Sequence, residues 1–222
     1  MSSRSLILER AVELLAASET GDVSTRAVCQ AAGVGQPVLY RIFGDKNGLL
    51  TAVADQVWGQ YLAAKRAAEV SDDPVQDLRH GWDNHTAFAL ANPHAYRLVF
   101  ASALPSRPAA ADEAMELLRG VLQRVAAQGR LRVAPAVAAQ IVMAANSGVA
   151  LSLILRPEQY PDVATSIAMR EATMRAILAD EPVEAAQAQR VAATTLRAGL
   201  VESDAFTAAE SALLIEWLDR VR

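Results

Sequence analysis

Apolar side chains recur at helical spacing from the start of the chain, with Leu6 or Ile7, Ala11, Leu14 and Leu15 on one side and Arg4, Glu9, Arg10 and Glu13 on the other. That pattern predicts a first helix with a single buried stripe. Glu19, Thr20, Gly21 and Asp22 make a turn, and Val23 precedes Ser24, whose hydroxyl can cap a second helix over Thr25 to Ala32. Val28, Cys29 and Ala32 are its inward positions. Gly33 accepts the left-handed backbone that ends a helix, so a third helix is predicted over Gln36 to Phe43, with Pro37 in its first turn, where the missing N–H costs little.

A long fourth helix is predicted from Lys46 to about Val70, carrying Leu49, Leu50, Val53, Val57, Trp58, Tyr61 and Leu62. It is too apolar for a free linker and reads as the connector between two units, so that a tilt at one end can move the other. Ser71, Asp72, Asp73 and Pro74 end it and cap the next helix, where Leu78, Trp82, His85 and Ala89 share a face beside Phe88. Asn92 and Pro93 break the chain before a short helix with Tyr96, Arg97, Leu98, Val99 and Phe100. Pro105 to Pro108 read as a loop, and Ala111, Ala114, Met115, Leu118, Leu122 and Val125 describe another amphipathic helix. From Ala134 to Leu155 small residues alternate with Ile141, Val142 and Leu151, and Val163, Ile167, Arg170, Met174 and Leu178 mark the following helix. Small residues let helices approach closely, so this pair can form either a four-helix dimer interface or a buried intrachain hairpin. Two more helices are predicted after Pro182, the last apolar nearly all round, with Phe206, Leu213, Leu214, Ile215, Trp217, Leu218 and Val221. It must pack on the bundle or across a dimer.

The stretch STRAVCQAAGVGQPVLYRIFGDK, Ser24 to Lys46, has helix-turn-helix spacing, in which a second helix enters the major groove while the first crosses the backbone. Its outward residues suit that role. Gln36 can pair with adenine or reach phosphate, the Val38 methyls can touch a thymine methyl, and Arg41 can fork onto guanine or grip phosphate. The Tyr40 hydroxyl suits a phosphate oxygen, and Lys46 with the amides at the start of helix four suits another. Spacing alone fits a plain helical hairpin equally well.

Composition supports helices over strands: 52% of the 222 residues are hydrophobic, only 5% are aromatic, and Ala and Leu dominate the second half. The formal charge of −4 excludes a uniformly basic surface, so nucleic-acid contact must rest on a local patch. Residues 1–55 are nearly neutral, with Arg4, Arg10, Arg26, Arg41 and Lys46 against Glu9, Glu13, Glu19, Asp22, Asp45 and Asp55. One such unit neutralises few phosphates and binds weakly; two, with readers about 34–36 Å apart, double the contacts. Cys29, the single cysteine, leaves no disulfide framework or cysteine-based zinc site and suits a small core residue. Glu9 and Glu13 interrupt what an export signal would keep apolar, and the run Ile141 to Leu155 is broken by Asn146, Ser147 and Ser152 and falls short of the ~20 residues a bilayer needs. A cytoplasmic protein without membrane or cofactor is expected.

Residues 5–55 resemble the DNA-binding domain of the TetR family of one-component transcriptional regulators. The resemblance rests on Ile7, Ala11, Leu14, Gly21, Ser24, Val28, the run Ala32-Gly33-Val34, Leu39, Tyr40, Phe43, Lys46, Leu49 and Leu50. Gly35 stands where the family often has Ser, and Ile42 where a polar residue is common. The resemblance implies an all-α fold: an N-terminal three-helix helix-turn-helix domain, residues 1–50, joined to a larger C-terminal helical bundle, residues 51–222, for ligand binding and dimerisation. It implies DNA contacts from Arg26, Gln36, Val38, Tyr40, Arg41 and Lys46, with Ser24 and Thr25 secondary.

Within the bundle, Trp82, His85, Phe88, Tyr96, Arg97 and Phe100 offer apolar walls with a few polar handles, as a small-molecule pocket requires. Met115, Met143 and Asn146 complete the candidate lining, although Met fills cores as readily as ligand walls and His85 also suits a hydrogen-bonded core position. No Gly-rich phosphate loop or nucleophile elbow is present, and His80 and His85 are five apart, on different helix faces. The expected function is a homodimeric, ligand-responsive repressor that binds a near-palindromic double-stranded DNA operator and is released by a small apolar or amphipathic effector. A helical protein-interaction module controlled by a protein partner is the alternative, and a small α-helical enzyme using His85 and Arg97 a more distant one.

Overall fold

A computed structural model describes residues 2–101, 104, 108–179 and 206–220, together with 189, 192, 193, 196, 197 and 200. The helices with described bounds are α1 (Ser3–Ala16), α2 (Thr25–Ala31), α3 (Gln36–Phe43), α4 (Lys46–Ala67), α5 (Pro74–Ala91), α6 (Pro93–Phe100), α7 (Ala109–Ala127), α8 (Pro135–Leu155), α9 (Ala164–Ile177) and α10 (Ala208–Arg220). The fold is all-α: the described residues contain no strand, only an isolated bridge between Leu131 and Leu178. Most of the Pro105–Pro108 loop and of the helix expected directly after Pro182 lies outside the described residues.

Local chemistry accounts for the boundaries. Ser2, Ser24, Asp45 and Asp73 each accept from a backbone N–H in the first turn of the helix that follows, and proline occupies the first turn of α3, α5, α6 and α8. α4 ends at Ala67, short of the expected Val70, because Ala68 is already extended (φ −64°, ψ 136°). The loop beyond is folded back by Ser71, whose hydroxyl donates to Asp77 at 2.7 Å.

Three apolar cores divide the chain. Ile7, Leu8, Ala11, Leu15, Val28 and Leu39 build the first beneath α1–α3, and Leu49, Leu50, Val53 and Ala54 of α4 complete it, so that α4 runs past residue 50 without a break. Leu78 and Trp82 of α5 meet Leu122, Val125, Val142, Val149, Met174 and Ile177 in the second. The third lies between them and holds Trp58, Leu62, Ala89, Tyr96, Ala114 and Ala150. Two helices join the first core to the third: α4, with Leu49 and Val53 in the one and Trp58 and Leu62 in the other, and α6, which sends Ala95 and Leu98 into the first and Tyr96 into the third. Sequence periodicity assigned the connecting role to α4 alone; α6 shares it.

α8 is the helix among the described residues long and apolar enough to cross a bilayer, 21 residues with a mean hydropathy of 1.7. It is longer than the run starting at Ile141 because Ala134 and Pro135 begin it. It packs against α5, α7 and α9, and Asn146 at its middle is buried and hydrogen-bonded within the protein, as in the central helix of a bundle. α9 is split along its length: Met174 and Ile177 are buried, whereas Ile167 and Met169, with Val163 just before the helix, are exposed. α8 and α9 pack on each other as an intrachain hairpin, and α10 has no buried residue, leaving Leu213 and Trp217 exposed.

The turn between α1 and α2 is locked onto α6. Gly21 has φ +76°, and a Cβ placed there would stand 2.6 Å from Nδ1 of His94. Gly21→Ala is therefore expected to destabilise the protein by at least ~1 kcal/mol from the left-handed backbone alone, a fall in Tm of ~2–4 °C or more for a chain of this size. Thermal melting should also show part of the loss recovered when His94→Ala removes the collision.

Candidate nucleic-acid interface and interior cavity

The helix pair at the N-terminus is built by backbone bonds around Gly33. At φ +64° this residue lets its own N–H donate to the Gln30 carbonyl at 3.3 Å and the Val34 N–H to the Cys29 carbonyl at 3.0 Å, closing α2 and redirecting the chain. The Ser24 hydroxyl accepts from Ala27 N–H at 3.4 Å. Gly35 opens α3 with no side-chain cap, in keeping with the missing Ser. Leu39 is fully buried, and Phe43, with the Arg4 guanidinium 5.6 Å from its ring centre, is half-buried. Burial holds the Cys29 thiol above its ordinary pKa, the behaviour of a core residue.

The candidate contact residues divide into four groups. Arg26, Gln36 and Arg41 are exposed, and their side chains make no hydrogen bond or ion pair with any described residue. Tyr40 is 41% exposed, and its hydroxyl lies 3.4 Å from the Thr25 Oγ1 across the turn, so the two act as one polar edge with Ser24 beside them. Val38 and Ile42 are half-buried against the first core, which leaves Val38 less surface than a fully outward residue has. Lys46 is committed to the Asp22 carboxylate. That hydrogen bond, followed by one from Val23 N–H, holds Asp22 below the usual carboxylate range. Both partners are exposed, and such a pair costs little to exchange for a phosphate.

Behind this unit a cavity of about 740 Å³ opens between α4, α5, α7 and α8. Of the candidate lining residues, Trp82, His85, Met143 and Asn146 reach it. Phe88, Tyr96, Arg97, Phe100 and Met115 do not. Phe88, Tyr96 and Phe100 are drawn to the indole of Trp58, with ring centres 4.7, 5.6 and 5.6 Å from it, and Met115 packs on the second core. Arg97 is half-buried on α6 away from the wall, so His85 and Arg97 form no joint site. The cavity also has residues that were not foreseen, among them Tyr61, Lys65 and Asn84. The signal for two of them was present: Trp58, Tyr61 and Lys65 follow helical spacing along α4, a helix interpreted only as a connector.

Several polar groups at the wall are already bonded within the protein. Asn146 donates to the Trp82 carbonyl at 3.2 Å and accepts from the Thr86 hydroxyl at 3.1 Å, while the Trp82 indole N–H donates to the Ser166 Oγ at 3.0 Å. These bonds tie α5, α8 and α9 together. One ring nitrogen of His85, Nε2, is 2.8 Å from the Tyr96 hydroxyl. Burial, reinforced by the positive charge of Lys65, pushes His85 down to about 3, so it is neutral at physiological pH. Burial likewise lowers Lys65 and raises Tyr61 and Tyr96. The described residues contain no group of His, Cys, Asp and Glu arranged to hold a metal ion.

Residues 7–53 match the family model of bacterial regulatory proteins, tetR family. No curated protein matches the chain. Among solved structures, a TetR-family transcriptional regulator from Pectobacterium atrosepticum superposes with a TM-score of 0.67 at 22% identity, over 81% of this chain and 95% of that one. NalD of Pseudomonas aeruginosa, the secondary repressor of the MexAB-OprM multidrug efflux pump, gives 0.58 at 17% identity over 81% and 98%. The transcriptional regulator FadR of Bacillus subtilis, in complex with stearoyl-CoA, gives 0.59 at 15% identity over 77% and 97%. At these identities the likeness is one of fold.

The neutral His85 has a consequence for stability. In the folded chain it takes up its proton only near pH 3, against about 6.5 when unfolded, so the unfolded state binds more protons between those values. The stabilisation present above pH 6.5 is lost as pH falls, by about 2 kcal/mol between pH 7 and 5. Denaturant titrations at the two pH values should record that loss, and His85→Gln, which does not titrate there, should reduce it by about the same amount.

Proposed function

Because residues 7–53 match the model of the tetR family of bacterial regulatory proteins, we propose that the protein is a homodimeric transcriptional repressor. It binds a near-palindromic operator through α2 and α3 and is released when a small apolar or amphipathic effector occupies the cavity. The observation that carries this reading is the exposed edge of Arg26, Gln36, Tyr40 and Arg41 on a helix pair whose anchors are buried. Arg41 and Gln36 supply the side-chain types that read base edges, and Tyr40, Thr25 and Lys46 those that position on phosphate.

The rest of the chain supports regulation. α4 lines the cavity with Tyr61 and Lys65 and sits in the reader's core with Leu49 and Val53, while α6 packs Ala95 and Leu98 into that core and meets the cavity wall only through the Tyr96 hydroxyl, 2.8 Å from Nε2 of His85. An effector that favours one arrangement of α4 and α6 thereby acts on the spacing of two readers, provided its affinity differs between the arrangements. That NalD is a repressor and that FadR was solved with stearoyl-CoA are properties of those proteins, and both agree with this reading. The exposed apolar residues Ile167 and Met169 of α9 and Leu213 and Trp217 of α10 are the surface on which we place the second copy.

Gel-shift titration with the DNA upstream of the protein's own gene is the test. Arg41→Ala should weaken binding by ~1–3 kcal/mol, and wild-type affinity should fall steeply with salt. Binding that ignores both would rule the reading out. Trp217→Glu should convert the dimer to monomer in sedimentation velocity and weaken operator binding in parallel; a dimer unaffected by that change would move the interface elsewhere.

A further inference from the structure

The cavity encloses a positive charge that no described carboxylate neutralises. Lys65 leaves α4 in its last turn, with its ammonium 5.3 Å from the centre of the Tyr61 ring and facing Gly81 of α5, 4.0 Å from where a Cβ would stand at that residue. The nearby acids are otherwise engaged. Asp77 accepts from Arg124 and Ser71, Glu113 pairs with Arg66, and Asp83 pairs with Arg170. Glu69 lies beyond the end of α4, exposed and without an ion pair to Lys65.

A cation partly withdrawn from water without a counter-ion is unfavourable, and among its neighbours the face of the Tyr61 ring offsets this only in part. His85 is held neutral, and the Tyr61 hydroxyl is itself buried without a partner. The Trp82 indole N–H and one N–H of the Asn146 amide are bonded within the protein. Away from this end the wall carries Leu78, Leu117, Leu118, Val121 and Val142, with Asp77 and Arg124 paired to each other beside them. The volume, about 740 Å³, falls in the range of sites for small organic ligands.

We propose that the cavity takes an anionic amphiphile, whose carboxylate or phosphate head is bound by Lys65 and whose aliphatic chain lies along Leu78, Leu117, Leu118, Val121 and Val142. This rests on the reading of the cavity as the effector site and names the chemical class of the effector. The head supplies the counter-charge that the protein withholds, and the chain displaces water from the apolar wall.

Isothermal titration calorimetry on the full chain with decanoate, decyl phosphate, 1-decanol and decylammonium tests it. The two anions should bind about tenfold or more tighter than the alcohol, the difference expected for a hydrogen bond to a charged group, and the cation should bind weakest. Whichever anion is tighter identifies the head group, and either order supports the site. Lys65→Met should bring the anions level with the alcohol while leaving the alcohol's affinity unchanged, and Lys65→Arg should keep the preference. Because Lys65→Met removes an uncompensated charge, its ligand-free Tm should be no lower than that of the wild type, which separates a lost site from a lost fold. Equal binding of anion and alcohol, no binding of any probe, or a preference that survives Lys65→Met would overturn the proposal. The same probes in the gel shift keep the two readings apart. Anions that bind through Lys65 but leave the operator complex intact refute the release step and uphold the site. Operator binding that persists while no anion preference exists refutes the site alone.

Discussion

The indole of Trp58 occupies the point where the reader and the bundle meet. It is wholly buried, donates to the Ala95 carbonyl at 3.4 Å and is surrounded by the rings of Tyr61, His85, Phe88, Tyr96 and Phe100. Edge-to-face and offset ring contacts constrain angle as well as distance, so the crossing of α4 with α5 and α6 is fixed more narrowly than aliphatic packing would fix it. The two regions that α4 joins meet there. Leu49 and Val53 lie on one side in the core of the helix-turn-helix, and Tyr61 and Lys65 lie on the other in the cavity wall.

The cluster also explains which parts of the site could be deduced from sequence. α3 has the bounds its sequence predicts because its signals are local: Gly33 at positive φ, Pro37 in the first turn and Gly44 after the last. The stripe Leu78, Trp82, His85 and Ala89 is buried as its spacing requires. The cavity was less legible, because periodicity tells which side of a helix is apolar and not which neighbour that side meets. Phe88, Tyr96 and Phe100 have pocket-like chemistry, yet Trp58 claims them. Lys65 shows the reverse: a lysine near the end of a long helix reads as solvated until α5 is seen to present Gly81 against it.

α8 illustrates how a helix apolar on nearly every side is kept in register. Small residues let α5, α7 and α9 approach, but Ala and Gly specify position poorly. Asn146 supplies what they lack. Its amide is bonded to Trp82 and Thr86, and Ser166 extends the network to α9. Sliding α8 by a residue would strand these buried groups, so a few polar atoms set the register that the apolar surface leaves open.

The three tryptophans are distributed one to each part of the molecule: Trp58 in the buried junction, Trp82 on the cavity wall and Trp217, 52% exposed, on α10. The chain therefore carries three intrinsic optical probes in three different polarities. In single-tryptophan versions, emission from position 58 would report the reader–bundle contact, position 82 cavity occupancy, and position 217 coverage of the last helix. Whether the proposed filling of the interior, movement of the junction and pairing of two copies are one event or three could then be followed in time within a single unlabelled protein.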